Sequence, residues 1–135
     1  MSEPAVVSMC SLGIGCRYHG KTVVMGYSIF KEKRIRALQQ RYHLIPVCPE
    51  QLGGMPTPRP ACDVVETPDG PKVVSREGGV DYTANYLRGA RETLRICEVC
   101  GARRAYLYPR SPSCDPTKGI TARMLREAGI KVMAL

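Results

Sequence analysis

Three short apolar runs, each ending in a loop that carries a cysteine, constrain this chain more than any other feature. Ala5–Met9 leads into Cys10-Ser-Leu-Gly-Ile-Gly. Leu44–Val47 leads directly into Cys48-Pro-Glu-Gln, and Ala105–Tyr108 into Pro109-Arg-Ser-Pro-Ser-Cys114. Apolar runs this short, bounded by turn-forming residues, read as buried strands rather than helices. Between them lie segments of helical period. From Ser28 to Tyr42, the residues Ile35, Leu38 and Tyr42 fall on one face, with charged residues on the other. Asp81 or Thr83 is placed to cap a long helix running to about Cys100. In it Leu87, Ala90, Leu94 and Cys97 recur at helical spacing, and Gly101 follows as a stop. Ile120–Ala128 is a last helix closed by Gly129, and Ile130–Ala134 a last strand.

The segment between Cys48 and the long helix differs in kind. Residues 49–60 hold four prolines and two glycines, which predicts a stiff extended loop. Asp63–Glu66 and Lys72–Ser75 flank Thr67-Pro-Asp-Gly-Pro71, which predicts a β-hairpin with Asp-Gly in its turn. The resulting order is strand, helix, strand, hairpin, helix, strand, helix, strand. Such alternation predicts one α/β domain over residues 1–135, with three layers, a mainly parallel sheet and a small hairpin insertion.

Composition narrows the setting. No apolar run approaches the roughly 18 residues that span a bilayer. Met1-Ser2-Glu3-Pro4 lacks the basic and apolar regions of a signal peptide, so the expected location is the cytoplasm, without a membrane partner. A reducing cytosol disfavours disulfides, and the seven cysteines are an odd number, which favours metal binding or catalysis for some of them. The formal charge of +8 suits an anionic partner such as a nucleotide or RNA.

In parallel sheets, ligand sites lie beyond the carboxyl ends of the strands. Cys10, Cys48 and Cys114 each sit there, so three thiols distant in sequence converge on one edge. Thiolates suit soft metals and iron–sulfur clusters. Three protein ligands leave one coordination position open, as a catalytic metal requires. Cys16 reads either as a fourth ligand or as a neighbour, and Cys62 as a packing residue. Cys97-Glu-Val-Cys100 is a solitary CxxC at the end of a helix. A redox CxxC belongs at a helix start, where the thiolate is stabilised, so this pair reads as structural.

The same loops carry a family resemblance. Ser8-Met-Cys10-Ser-Leu-Gly13 with Arg17-Tyr18, Pro46-Val-Cys48-Pro-Glu50-Gln with Gly53 and Pro56-Thr-Pro-Arg-Pro60, and Arg110-Ser-Pro-Ser-Cys114 resemble, in order, the thiouracil desulfidase family. The likeness extends through Gly119-Ile-Thr-Ala to the closing strand. It implies a Rossmann-like domain with a 4Fe-4S cluster bound by three cysteines, falling on Cys10, Cys48 and Cys114, with one open iron. The family's catalytic acid falls on Glu50 and its assisting serine on Ser111. Ser113, Arg17, Tyr18 and Arg59 are the expected substrate-binding residues. Tyr18 alternatively fills core space, and either arginine alternatively bonds loop carbonyls. Two departures stand out. His19 occupies a position that usually holds Asp. Asp115-Pro-Thr-Lys runs straight to Gly119, where relatives carry a glycine-rich insertion.

The reaction implied is the non-redox replacement of sulfur by oxygen in a thiolated pyrimidine. The expected partner is a small thiolated nucleobase, with 4-thiouridine in transfer RNA as the second substrate reading. A non-enzymatic RNA-binding or metal-sensing module is the reading from another class. Against it stands the lack of aromatics interleaved on a basic stretch, the chain having no Trp and one Phe.

Overall fold

The structure is a computed structural model and describes residues 2–20 and 29–135. Four strands form one parallel sheet: β1 (Glu3–Ser8), β2 (Tyr42–Val47), β5 (Arg104–Leu107) and β6 (Lys131–Ala134). Their spatial order is β2-β1-β5-β6. β3 (Cys62–Thr67) and β4 (Gly70–Ser75) form a separate antiparallel hairpin, in which Thr67 pairs with Gly70 across the turn. The helices are α1 (Ile29–Arg41), α2 (Pro49–Leu52), α3 (Thr83–Cys100) and α4 (Ile120–Glu127). None among the described residues is long and apolar enough to cross a membrane.

The alternation of side chains along the central strands explains the layering. Val6, Ala105 and Leu107 point to one face, where Cys97 of α3 and Ala122 and Leu125 of α4 cover them. Ala5, Val7 and Tyr106 point to the other, beneath Ile35 and Leu38 of α1. Ala5, Val6 and Val7 are all fully buried. A strand covered on both faces reads as an unbroken apolar run, which is why β1 shows no polar alternation. A third apolar cluster holds the hairpin to α3 through Val73, Cys62, Tyr86 and Ala90.

Helix and strand types follow the sequence reading, and the differences are local. The helix expected to begin at Ser28 has its first residue outside the described segment. At its other end Tyr42 leaves the helix and opens β2, because the β1 ladder extends far enough to pair Glu3 with Tyr42. Met9 leaves the first strand for a single turn of 3-10 helix, Met9–Leu12, closed by Gly13 in the left-handed conformation. The N-cap of α3 is Tyr82, which makes no side-chain cap bond; Asp81, one residue earlier, accepts the Thr83 N–H at 2.8 Å.

The largest departure is α2, a helical turn where an extended loop was expected. Pro49 occupies its first turn, where a missing N–H costs nothing. This turn lies hard against α3. A Cβ on Gly53 would meet the Asn85 carbonyl oxygen at 2.0 Å, and one on Gly89 would meet that of Pro49 at 1.9 Å. Glycine inside a helix costs about 1 kcal/mol relative to alanine. Gly89 is the position where that cost is offset, because only hydrogen lets the Cys48–Leu52 backbone approach α3. Gly89→Ala is expected to lower stability by about 1–3 kcal/mol, since the overpacking outweighs the gain in helix propensity. A chemical denaturation curve shifted to higher denaturant would contradict this packing.

Candidate active site

Three loops meet beyond the carboxyl ends of β1, β2 and β5. Cys10 lies in the 3-10 turn after β1, and Cys48 is the N-cap residue of α2, directly after β2. Cys114 lies in the loop between β5 and α4. Ser8 joins two of these ends: its hydroxyl accepts the Tyr108 N–H at 2.9 Å and hydrogen-bonds the thiol of Cys114. All three cysteines line one cavity of about 230 Å³, together with Cys16, Arg17, Tyr18, Glu50, Arg59 and Ser111. Cys62, Arg76, Tyr86, Tyr108 and Arg110 complete most of its wall. Ser113 does not line it. That residue is fully buried beneath the loop, its hydroxyl without a hydrogen-bond partner, and its carbonyl receives the Thr121 and Ala122 N–H groups of α4.

Cys10, Cys16 and Cys48 pack on one another as a buried group of their own, flanked by Met9 and Tyr108. Cys114 belongs instead to the core cluster under the sheet, at 5% exposure. Electrostatics separates the four thiols. The Cys10 thiol is held below its usual range, first by a hydrogen bond from Cys16 and further by Ser11 and the charge of Arg17, against the opposing effect of burial. Cys48 falls to about 7, again chiefly through Cys16, with help from the Gln51 N–H and the Arg59 charge. Cys16 is pushed up by the same two hydrogen bonds and by burial. Burial pushes Cys114 up as well. Two thiols held below their usual range thus stand beside two held above it.

Among the described residues, no three His, Cys, Asp or Glu side chains converge tightly enough to hold a single metal ion. A lone ion needs its sulfur donors about 2.3 Å from one point. A cubane cluster spreads its ligands over separate irons, one at each corner, and takes thiolates. Buried thiols from three loops around a shared cavity fit the second arrangement better than the first.

Glu50 stands beside them. It follows Cys48 by two residues and is 7% exposed on the inner side of α2. Its carboxylate forms a buried ion pair with Arg59. Ser111 donates to its other oxygen at 3.3 Å. The same serine oxygen accepts the N–H groups of Ser113 and Cys114 at 3.2 and 3.1 Å. Ser111 is therefore both a turn-forming residue and the link between the Cys114 loop and Glu50. Arg59 is engaged on every side, donating also to the Cys16 carbonyl at 2.8 Å and to Thr57 at 2.9 Å. These bonds lie within the loops, and Arg59 also lines the cavity.

The rim is aromatic and basic. The Arg17 guanidinium lies 4.9 Å from the Tyr108 ring centre and 5.8 Å from that of Tyr18, within cation–π range. Arg110 adopts a left-handed backbone, φ 69°, which presents its N–H to the Asp115 carboxylate at 2.8 Å. Thr117 and Lys118 donate to the same carboxylate, so Asp115 ties off the connector that leads to Gly119. Tyr86 was missed from sequence. It lies on the inner face of α3, where Ala90 and Cys97 of the expected stripe are buried together with Tyr86, Gly89 and Thr93, Tyr86 and Thr93 each one position before the expected Leu87 and Leu94. Burial, followed by the nearby Glu50 charge, pushes its phenol up, so it stays neutral and donates to Cys62. The Cys97-Cys100 pair is elsewhere: Cys97 borders a separate groove between α3 and α4.

Removing one member of a buried ion pair strands the other. Arg59→Met is expected to cost about 3–5 kcal/mol in the metal-free protein. The double variant Arg59→Met/Glu50→Gln should recover much of that loss, since no charge is left unpaired. Urea denaturation of the three proteins checks this, and a double variant no more stable than the single one would contradict it.

Comparison with known proteins agrees with this geometry. The sequence profile of the family described as 2-thiouracil desulfurase matches residues 5–134. An uncharacterized protein of Bacillus subtilis (strain 168), YbbK, is 29% identical over 148 residues, covering 96% of this chain and 93% of its own. The solved structure of the 4Fe-4S-dependent thiouracil desulfidase TudS superposes with a TM-score of 0.82 at 33% identity, covering 98% of this chain and 91% of that one. The chain therefore belongs to the 2-thiouracil desulfurase family.

Proposed function

We propose that this chain is a 4Fe-4S-dependent desulfidase that replaces sulfur by oxygen in a thiolated pyrimidine. Cys10, Cys48 and Cys114 hold the cluster and leave one iron open. The observation that carries this reading is the shared cavity: the three strand-end thiols and the Ser111–Glu50–Arg59 chain face the same space. The overall change consumes water and releases hydrogen sulfide as C=S becomes C=O, with no net electron transfer.

When bound, the open iron would supply a soft Lewis acid for the thiocarbonyl sulfur. The chain's own groups supply the rest. Glu50 takes the proton from the attacking water, or returns it to the ring, as a general acid–base residue. Arg59 gives its carboxylate a fixed counter-charge and a fixed direction. Ser111 orients the free carboxylate oxygen toward the cavity. Tyr18 and Arg17 at the rim offer a stacking face and a cation to the ring and its substituents. Ser113 supports the Ser111–Cys114 turn from below and meets substrate only through that turn.

The matching family is described by 2-thiouracil, so the free base is the first substrate reading. The net charge of +8 favours the second, 4-thiouridine in transfer RNA presented as a base splayed from its stack. Turnover on thiolated transfer RNA should then fall steeply with salt while turnover on 4-thiouracil does not.

The test is anaerobic reconstitution with iron and sulfide, followed by sulfide release from 4-thiouracil. Cys10→Ser, Cys48→Ser and Cys114→Ser should each lose the cluster's visible absorbance, whereas Cys97→Ser and Cys100→Ser should keep it. The double variant Arg59→Met/Glu50→Gln, which strands no charge, should keep the absorbance and lose about 10²–10⁴ of the turnover rate. A wild-type protein that binds the cluster yet releases no sulfide from any thiolated base, nucleoside or transfer RNA would overturn the assignment.

A further inference from the structure

Asp115 is an acidic residue of the Cys114 loop that the mechanism above does not use, and both oxygens of its carboxylate are engaged. Oδ1 accepts the Thr117 and Lys118 N–H groups at 2.9 and 3.0 Å. That is the local turn an aspartate makes with the residues that follow it. Oδ2 reaches back five residues instead and accepts the Arg110 N–H at 2.8 Å. The backbone of Asp115 grips the same stretch. Its N–H donates to the Ser111 carbonyl at 3.0 Å, and its carbonyl accepts the Gly119 N–H at 2.8 Å. A local turn alone needs no contact with Arg110.

The residue held between these contacts is strained. Arg110, at φ 69°, is the only non-glycine residue with a positive φ among the described residues. A side chain disfavours that region, and such a backbone persists where its surroundings over-determine it. Asp115 does so from both sides, through the amide before the Arg110 Cα and the Ser111 carbonyl after it. A negative φ at Arg110 would rotate everything that follows it, Ser111 first. The Ser111 oxygen accepts the Ser113 and Cys114 N–H groups at 3.2 and 3.1 Å and donates to Glu50 at 3.3 Å, so its direction matters. Resting on the roles proposed above for Glu50 and Ser111, we infer that Asp115 is a positioning residue: its carboxylate holds Arg110 in the left-handed conformation and so aims the Ser111 hydroxyl at Glu50. Asp115 itself does not line the cavity, and it acts through Ser111.

The test measures sulfide release from 4-thiouracil and 4-thiouridine, per bound cluster, for reconstituted wild type, Asp115→Ala, Arg110→Gly and the double variant. Urea denaturation of the same proteins without metal accompanies it. Asp115→Ala should lower kcat by roughly 10- to 100-fold with KM little changed, since a reacting group is misplaced while binding is intact. Glycine adopts a positive φ unaided. In the Arg110→Gly background the same Asp115→Ala change should therefore cost less than about threefold in kcat, and should shift the urea midpoint less, a coupling that general loosening of the loop would not give. Asp115→Asn keeps an oxygen for the Thr117 and Lys118 N–H groups and turns its amide nitrogen toward Arg110, so it repeats the comparison if the alanine variant does not fold. Equal losses of kcat or equal urea shifts in the two backgrounds would overturn the inference and leave the desulfidase reading standing, as would an Asp115→Ala enzyme as fast as wild type. A wild type that holds its cluster and releases no sulfide from any thiolated pyrimidine would overturn that reading and the inference with it.

Discussion

Arg59 buries a full positive charge between two loops, and the arrangement at the mouth of the sheet depends on that charge being balanced there. Its partner is Glu50, and the side chains of both are within 8% of complete burial. The guanidinium also binds the carbonyl of Cys16 and the hydroxyl of Thr57, while the Arg59 N–H donates to the Tyr18 carbonyl. Five donors in a planar fork suit this role, where the point charge of lysine would not. Taking two charges out of water is expensive, and the fold recovers that expense only through complete pairing. In return, the first and second loops are set in one register, with a carboxylate aimed at the cavity that the thiols share.

The sheet supplies the other half of the arrangement. Parallel strands send all their carboxyl ends to one edge, so residues separated by more than thirty positions become neighbours. Cys10, Cys48 and Cys114 owe their shared cavity to this topology rather than to spacing in sequence. The close approach of α2 to α3, made through Gly53 and Gly89, then holds Glu50 and Cys48 against a helix instead of leaving them on a free loop. Ser8 and Ser111 complete the lattice with hydrogen bonds between strand ends that lie far apart in the chain.

Much of this was legible in the sequence. Apolar runs and helical periods reveal strand and helix types because burial acts on those periods directly, and the parallel sheet with its hairpin followed from their order. Two things were not legible. The α2 turn hides in a proline-rich stretch, where Pro49 favours a helix start while the later prolines forbid one. The inner face of α3 keeps Ala90 and Cys97 of the expected stripe but takes Tyr86 and Thr93 in place of Leu87 and Leu94, since Tyr86, Thr93 and Gly89 score as less apolar although they are more buried. At the site, strand-end position and residue type pointed to the three thiols, while Glu50 and Ser111 came from the family resemblance. The ion pair of Arg59 with Glu50 in the cavity wall, and the withdrawal of Ser113 beneath its loop, depend on three-dimensional packing that no spacing rule encodes.

The central claim is that Cys10, Cys48 and Cys114, and no other thiols of this chain, bind one cubane cluster. Anaerobic crystallography of the reconstituted protein, with anomalous data collected at the iron edge, tests it most directly. The account predicts one compact iron peak at the edge of β1, β2 and β5, bonded to these three sulfurs, with one iron facing Glu50 and free of protein thiol. Iron bonded to Cys16 or Cys62, or found at Cys97 and Cys100 instead, would contradict it.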